Sequence, residues 1–201
     1  DKVVKAGTDG AAALVGVFKS QTTPPENNEL VSMSDGVVDA LAQIGEAAVE
    51  PLINVITDKE AWWLKISCAV QALAKIGDKR AVELLITLLE HPDESVIKKT
   101  VIALDDLKDE RAVSALTKLL ENDDEDEIPE AAAHALGNIG GEEAAKALVH
   151  YLESMDGEVL YENVFETVVK SLTPMAAPWM AAPLKAVNAQ LDPEFRQYLR
   201  P

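Results

Sequence analysis

The chain has 201 residues, a formal net charge of −17 at pH 7, and a composition that is 48% hydrophobic but only 4% aromatic. Since the apolar mass is mostly Ala, Leu, Val and Ile, the composition favours packed helices over an aromatic-rich β-sandwich. The acidic excess argues against nucleic acid and anionic membrane surfaces as partners, because both are bound through basic faces. No apolar run reaches the roughly 18 to 20 residues that a membrane span requires.

A short motif recurs four times along the chain and decides the predicted fold. Its leucines are spaced by 32, 31 and 32 residues, and each copy is followed at a constant distance by a second apolar block. Self-similarity at such a period is typical of helical-repeat proteins. The four leucines are Leu41, Leu73, Leu104 and Leu136.

Each copy predicts a pair of amphipathic helices. Ile66, Ala69, Val70, Leu73 and Ile76 recur at the spacing that places them on one face of a helix. The block after each motif has its own helical period, so every repeat is predicted to contain a first and a second helix.

The ends of the first helices carry turn signals. Glycine stands after three of the four, where a left-handed residue closes a helix. Lys108 takes that place in the third repeat, so we expect this turn to be less stable than the three that have glycine. Asp78 and Asp109 stand where they can cap the following helix. The three glycines are Gly45, Gly77 and Gly140.

The repeats predict a single all-α domain, a right-handed α-solenoid (superhelix) of about five helix pairs with degenerate terminal repeats. Pro24, Pro25, Asn27 and Asn28 mark the most loop-like stretch of the chain. The predicted segments are a partial repeat over 1–20, a loop over 21–33, repeats over 34–57, 58–90, 91–121 and 122–154, and a degenerate capping repeat over 155–201.

The segment Ala72–Val82 (ALAKIGDKRAV), followed by the apolar run LLITLL, resembles the short HEAT-like repeat named after phycobilisome lyases. Pro51 stands in a predicted second helix, where that family often has proline. The resemblance covers residues 37–172 and implies architecture. It implies little about activity, because members of the family include lyase subunits, a hydroxylase and plain scaffolds.

The residue types that carry chemistry are sparse, and we expect no catalytic, cofactor-binding or metal-binding residue. Deoxyhypusine hydroxylases of this family use His-Glu pairs, whereas no histidine here is followed by glutamate. We interpret His91 as a loop residue, His134 as packed near a helix interface and His150 as surface polar. Cys68, the single cysteine, excludes an intramolecular disulfide and is interpreted as a small buried hydrophobe in a cytoplasmic protein.

Two further features invite functional interpretations. The acidic run over 121–127 occupies an inter-repeat turn and is interpreted as a capping turn, with weak cation binding as the alternative. It lacks the glycine and the distal glutamate of an EF-hand loop. Trp62 and Trp63 are adjacent and cannot both enter one core face. The favoured interpretation is that both rings cover the end of a helix pair, and the alternative is that one is covered while the other is exposed at a binding site.

The second helices usually line the concave face of such a solenoid, and their non-core positions are the predicted partner site. The function predicted is a non-enzymatic scaffold that binds a protein of basic or mixed charge there. Ordinary solvated helix faces, and a subunit of a bilin lyase or another HEAT-repeat enzyme, remain the alternatives. The predicted partner residues are Glu50, Asn54, Glu83, Thr87, Glu90, Lys118, Glu121, Lys146, His150 and Trp179, with Ser114 and Glu153 in the same register.

Overall fold

A computed structural model describes residues 29–58, 61, 63–122, 127–154, 162–175 and 177–190, together with the helical positions 10, 13, 15 and 16. Within these ranges the chain forms α-helices joined by short turns and 3₁₀ segments, and it contains no strand. None of the helices in this part of the chain is long and apolar enough to cross a membrane. The chain comprises two compact units, Asp1–Leu107 and Lys108–Pro201.

Five helices of the first unit have both ends within the described residues. They are α1 (Glu29–Ile44), α2 (Val49–Ile56), α3 (Trp63–Ile76), α4 (Val82–Leu88) and α5 (Glu94–Leu107). The first helices of successive repeats stack, because α3 packs against both α1 and α5. Each second helix packs on the first helix of the next repeat, α2 on α3 and α4 on α5.

The second unit repeats this arrangement with α6 (Val113–Asn122), α7 (Glu127–Ile139), α8 (Gly141–Ser154), α9 (Glu162–Leu172) and α10 (Ala181–Gln190). Here the first helices α7 and α9 stack against each other, and the second helix α8 packs against α6 and α10. The boundary between the units falls in the turn between α5 and α6, inside the third repeat.

The repeated leucines form the centre of both units. Leu41, Leu73, Leu104 and Leu136 are all 0% exposed. Many of their neighbours are alanines with no exposure, and these small side chains let helices approach closely. The helical period read from the sequence therefore places the core correctly.

The predicted loop over 21–33 is wrong in its second half, because α1 begins at Glu29 and residues 29–33 are helical. The prediction relied on Pro24, Pro25, Asn27 and Asn28 and extended the loop beyond them. The helix instead begins directly after these residues, and α1 packs against α3. Residues 21–28 lie outside the described part of the chain.

The left-handed helix ends are confirmed. Gly45, Gly77 and Gly140 have φ angles of +73°, +76° and +71°. Lys108 has φ +46° and is the non-glycine residue with positive φ in the described chain. A Cβ atom in this conformation approaches the backbone, so a lysine here costs free energy that glycine avoids.

We therefore expect Lys108→Gly to raise the free energy of unfolding by about 1 kcal/mol. Urea unfolding followed by circular dichroism measures the change. Lys108→Ala is the control, because it removes the lysine side chain but keeps the Cβ atom, and it should be less stable than Lys108→Gly. Equal stability of the glycine and alanine variants would contradict a strained turn.

Candidate interaction surface

The exposed side of the second helices in the first unit is acidic, and we call it the acidic surface. All five of its predicted residues are exposed, while Val49, Leu52 and Leu85 on the opposite faces are buried. This follows from the helical period, which puts apolar residues on one side of each helix. The acidic surface consists of Glu50 and Asn54 of α2, Glu83 and Thr87 of α4, and Glu90 directly after α4.

Arg80 connects the turns that precede α2 and α4. Its Nη2 atom lies 3.2 Å from Oε1 of Glu46, and its Nε atom donates to Oδ2 of Asp78 at 2.9 Å. The hydrogen bond to Asp78 raises the pKa of the guanidinium, and the charges of Glu46 and Glu50 raise it further. The Arg80 guanidinium is thus already bound by two carboxylates of its own unit.

Asp78 caps the turn that leads into α4, as predicted. Its Oδ1 atom accepts a hydrogen bond from the backbone N–H of Arg80 at 2.9 Å. In the second unit, Asp109 accepts from the backbone N–H of Arg111 at 3.2 Å. In both turns the arginine side chain also binds the capping aspartate, a pairing that sequence reasoning missed although both copies read Asp-x-Arg.

The hydrogen bond from the Arg80 side chain holds the pKa of the Asp78 carboxyl below its ordinary value of 3.8. Because the folded state favours the ionised carboxylate, its contribution is complete above pH 3.8 and is lost as the pH falls through the lowered pKa. We expect Asp78→Ala to lower the free energy of unfolding by about 1 kcal/mol at pH 7, mainly through the lost cap.

Urea unfolding at pH 7 and at pH 3 measures this dependence. The difference between wild type and Asp78→Ala should shrink at pH 3. Asp78→Asn is the control, because asparagine caps helices well but cannot ionise, so its stability should change less between the two pH values. A constant difference between wild type and Asp78→Ala would contradict a charge-assisted cap.

In the second unit, a groove of about 590 Å³ runs between the second helices α6 and α8. Three predicted partner residues line it together, namely Lys118 of α6 with Lys146 and His150 of α8. Ser114 lines the same groove, and the wall is completed by Glu110, Arg111, Val113, Thr117, Glu143 and Ala147. We refer to this feature as the α6–α8 groove.

Two of the cations in the α6–α8 groove are held by neighbouring acids. Nζ of Lys146 lies 2.9 Å from a carboxylate oxygen of Glu142 and of Glu143. The hydrogen bond to Glu143 raises the pKa of Lys146 most, and the hydrogen bond to Glu142 raises it further. Arg111 is held in the same way, with Nε 2.8 Å from Oδ1 of Asp109.

Trp179 does not take the place predicted for it. It lies in the 3₁₀ turn Pro178–Met180 before α10, rather than on a second helix. There it lines a separate pocket of about 630 Å³ with Gly140, Gly141 and Met175. The prediction extended the repeat register through the proline-rich end, where proline instead breaks the helical period. Glu121 and Glu153 are exposed on α6 and α8 but are not among the residues that line the groove.

The prediction for His134 was also wrong. Its side chain is exposed on α7, and its Nδ1 atom lies 3.2 Å from Nδ2 of Asn138 one turn later. The other two histidines lie as predicted, since His91 accepts from the backbone N–H of Asp93 in a loop and His150 is exposed.

The remaining special residues are placed as follows. Cys68 is buried, as predicted. Trp63 is 38% exposed, while Trp62 and residues 123–126 of the acidic run lie outside the described chain. Among the described residues, no group of three or more His, Cys, Asp or Glu side chains is arranged to hold a metal ion.

Comparison with solved structures places the fold among helical-repeat proteins. A computationally designed armadillo repeat protein for modular peptide recognition is 22% identical, with a TM-score of 0.53 over 93% of this chain and 95% of that one. A second designed armadillo protein, in complex with the peptide (KR)4, is 22% identical with a TM-score of 0.54 over the same shares. These likenesses confirm the predicted all-α solenoid class.

A third structure is the complex of CpcE and CpcF of phycocyanin lyase from Nostoc sp., which is 25% identical with a TM-score of 0.54. The match covers 89% of this chain and 76% of that one.

A comparison with curated proteins found no match. The model of HEAT repeats matches residues 32–103, 49–131 and 88–167, which together span more than half of the sequence. The chain belongs to the HEAT-repeat family.

Proposed function

We propose that this chain is a non-enzymatic scaffold that binds a protein partner of basic or mixed charge through its second helices. The observation that carries the proposal is the acidic surface. Glu50, Glu83 and Glu90 are exposed on it, and the neighbouring cation Arg80 is already bound to Asp78 and Glu46. Acidic side chains therefore outnumber basic ones among the residues of this surface, and a basic partner can complement them.

An exposed surface of one charge sign affects mainly the rate and the specificity of association. It steers an oppositely charged partner towards the surface and rejects partners of like charge. The presence of Asp78 and Asp109 is explained by stability alone, because each accepts a hydrogen bond from a backbone N–H group of its own unit. Glu50 and Glu83 lie in the first turns of α2 and α4, where an acid also complements the helix dipole, whereas Glu90 follows α4 and does not stand at a helix start.

The comparisons support binding of a protein or peptide as a class of function. One designed armadillo protein was made for modular peptide recognition, and another is in complex with the peptide (KR)4. CpcE and CpcF form a complex with each other. At 22% identity the armadillo likeness concerns the fold, so extending peptide binding to this chain is our proposal.

The test is capture of a protein from native extract on the immobilised chain, followed by elution with increasing salt. We expect the partner to be retained at 0.05 M salt and released below about 0.5 M, because salt screens exposed charges. An unrelated protein of similar net charge on the same resin controls for simple ion exchange. A partner retained equally by that control, or held until denaturant is added, would contradict the proposal.

A second candidate function is that of one subunit of a two-chain chromophore lyase. The observation in its favour is the 25% identity to the CpcE–CpcF complex over 89% of this chain. Incubation with a bilin, gel filtration and an absorbance scan test this alternative. A chromophore that co-elutes with the chain would favour the lyase subunit, whereas a colourless protein fraction would leave the scaffold as the better hypothesis.

A further inference from the structure

We infer that the α6–α8 groove binds an extended segment of the partner that carries a basic and an acidic side chain three to four residues apart. This inference rests on the proposed function and specifies the chemistry of the partner. It is carried by the ion pairs in the second unit, which compensate some of the groove's charges and leave one acidic and one basic side chain without an ion pair among the described residues.

The cations Arg111 and Lys146 are committed to carboxylates of their own unit. Arg111 is bound to Asp109, and Lys146 lies between Glu142 and Glu143. Their charges are thus largely compensated by acids of their own unit before a ligand arrives.

Lys118 and Glu110 differ from these two cations. In the ranges that the structure describes, neither side chain forms an ion pair, and both are exposed on the wall of the groove. The α6–α8 groove therefore offers one available negative charge at Glu110 and one available positive charge at Lys118. His150 lines the same groove from α8 and adds a second polar side chain on the opposite wall.

The spacing of these two charges fixes the length of the complementary motif. Glu110 opens the 3₁₀ turn Glu110–Ala112 that leads into α6, and Lys118 follows eight residues later in α6. At about 2.0 Å per residue in the turn and 1.5 Å in the helix, their backbone positions are about 13 Å apart along the axis. An extended peptide advances about 3.3 Å per residue, so the residues that meet these two positions are three to four positions apart.

The width of the groove favours an extended segment over a helix. Packed neighbouring helices lie 8–10 Å apart, and α8 packs directly against α6. A third helix, about 10 Å wide with its side chains, would rest on the rim, whereas an extended chain can lie between the two walls. Val113 and Ala147 supply small apolar contacts along the groove, and Ser114 supplies a hydroxyl.

The test is a selection of random dodecapeptides displayed on phage against the full chain. Wild type is compared with Lys118→Glu, Glu110→Lys and the control Lys185→Glu. Lys185 is exposed on α10 of the same unit and does not line the groove, so it provides the same charge change elsewhere.

We expect wild type and Lys185→Glu to enrich peptides with a basic and an acidic residue three to four positions apart. Lys118→Glu should reduce the frequency of the acidic residue at that position at least fivefold, and Glu110→Lys should do the same to the basic residue. Peptides that are purely basic and are enriched equally by wild type and Lys118→Glu would overturn the inference while leaving the proposed scaffold intact. Failure of every form to enrich any peptide above a blank surface would count against the proposed function itself.

Discussion

Gly137→Ala is expected to lower the free energy of unfolding by about 1–2 kcal/mol, although alanine is the better helix former. Gly137 lies in α7, where α9 crosses closely. A Cβ atom at this position would come within 2.5 Å of both Cβ and Oγ of Ser171, and within 3.2 Å of its backbone Cα atom. Ser171 cannot simply turn away, because its Oγ atom donates to the carbonyl oxygen of Ala133 at 3.2 Å. The two helices must separate, which weakens packing along the stack.

Gly36→Ala is the matched control for this substitution. Gly36 is also within a helix, α1, and a Cβ atom there would meet nothing within 4 Å. Alanine at that position should raise stability by up to about 1 kcal/mol through helix propensity alone. Urea unfolding of both variants measures the two effects, and a stabilising Gly137→Ala would contradict the close α7–α9 approach.

The double charge reversal Glu83→Lys/Glu90→Lys is expected to weaken partner binding at least tenfold at 0.15 M salt. It replaces two carboxylates on the acidic surface with cations that repel a basic partner. A tenfold loss corresponds to about 1.4 kcal/mol, which is within reach of two reversed contacts at an interface. Titration calorimetry with the captured partner measures the affinity, and the loss should become smaller as salt rises.

Asp106→Lys is the matched control for single reversals in the first unit. Asp106 is exposed on the first helix α5, so the substitution changes the net charge as much as Glu90→Lys does. Glu90→Lys should weaken the affinity for the partner, whereas Asp106→Lys should change it by no more than about twofold. The two variants differ because Glu90 lies on the acidic surface and Asp106 does not. Equal losses for the two variants would mean that net charge alone, and not the acidic surface, governs binding.

The arrangement of the helices could be predicted from the sequence because it depends on repeated local signals. Leu73 and its counterparts recur at a fixed period, and burying them forces the helix pairs to stack. Gly77 and Asp78 mark one helix end and the next helix start through backbone chemistry that needs no tertiary information.

The features that escaped prediction depend on contacts between residues far apart in the chain. Gly137 occupies a position that holds Ala42 or Ala74 in other repeats, and only the crossing of α9 explains why a Cβ atom does not fit there. Arg80 lies near Glu46 because successive repeats stack, which the turn sequence alone does not reveal. Similarly, the α6–α8 groove results from two helices that are separate in sequence.

The most direct test of the proposed scaffold is an NMR titration of the isotope-labelled chain with its captured partner. We expect amide chemical-shift changes to concentrate on Glu50, Glu83 and Glu90 and on the α6–α8 groove. Ile102, which is 51% exposed on the first helix α5, should change little. Shift changes centred on Ile102 and Asp106, with the second helices unaffected, would contradict binding through the second helices.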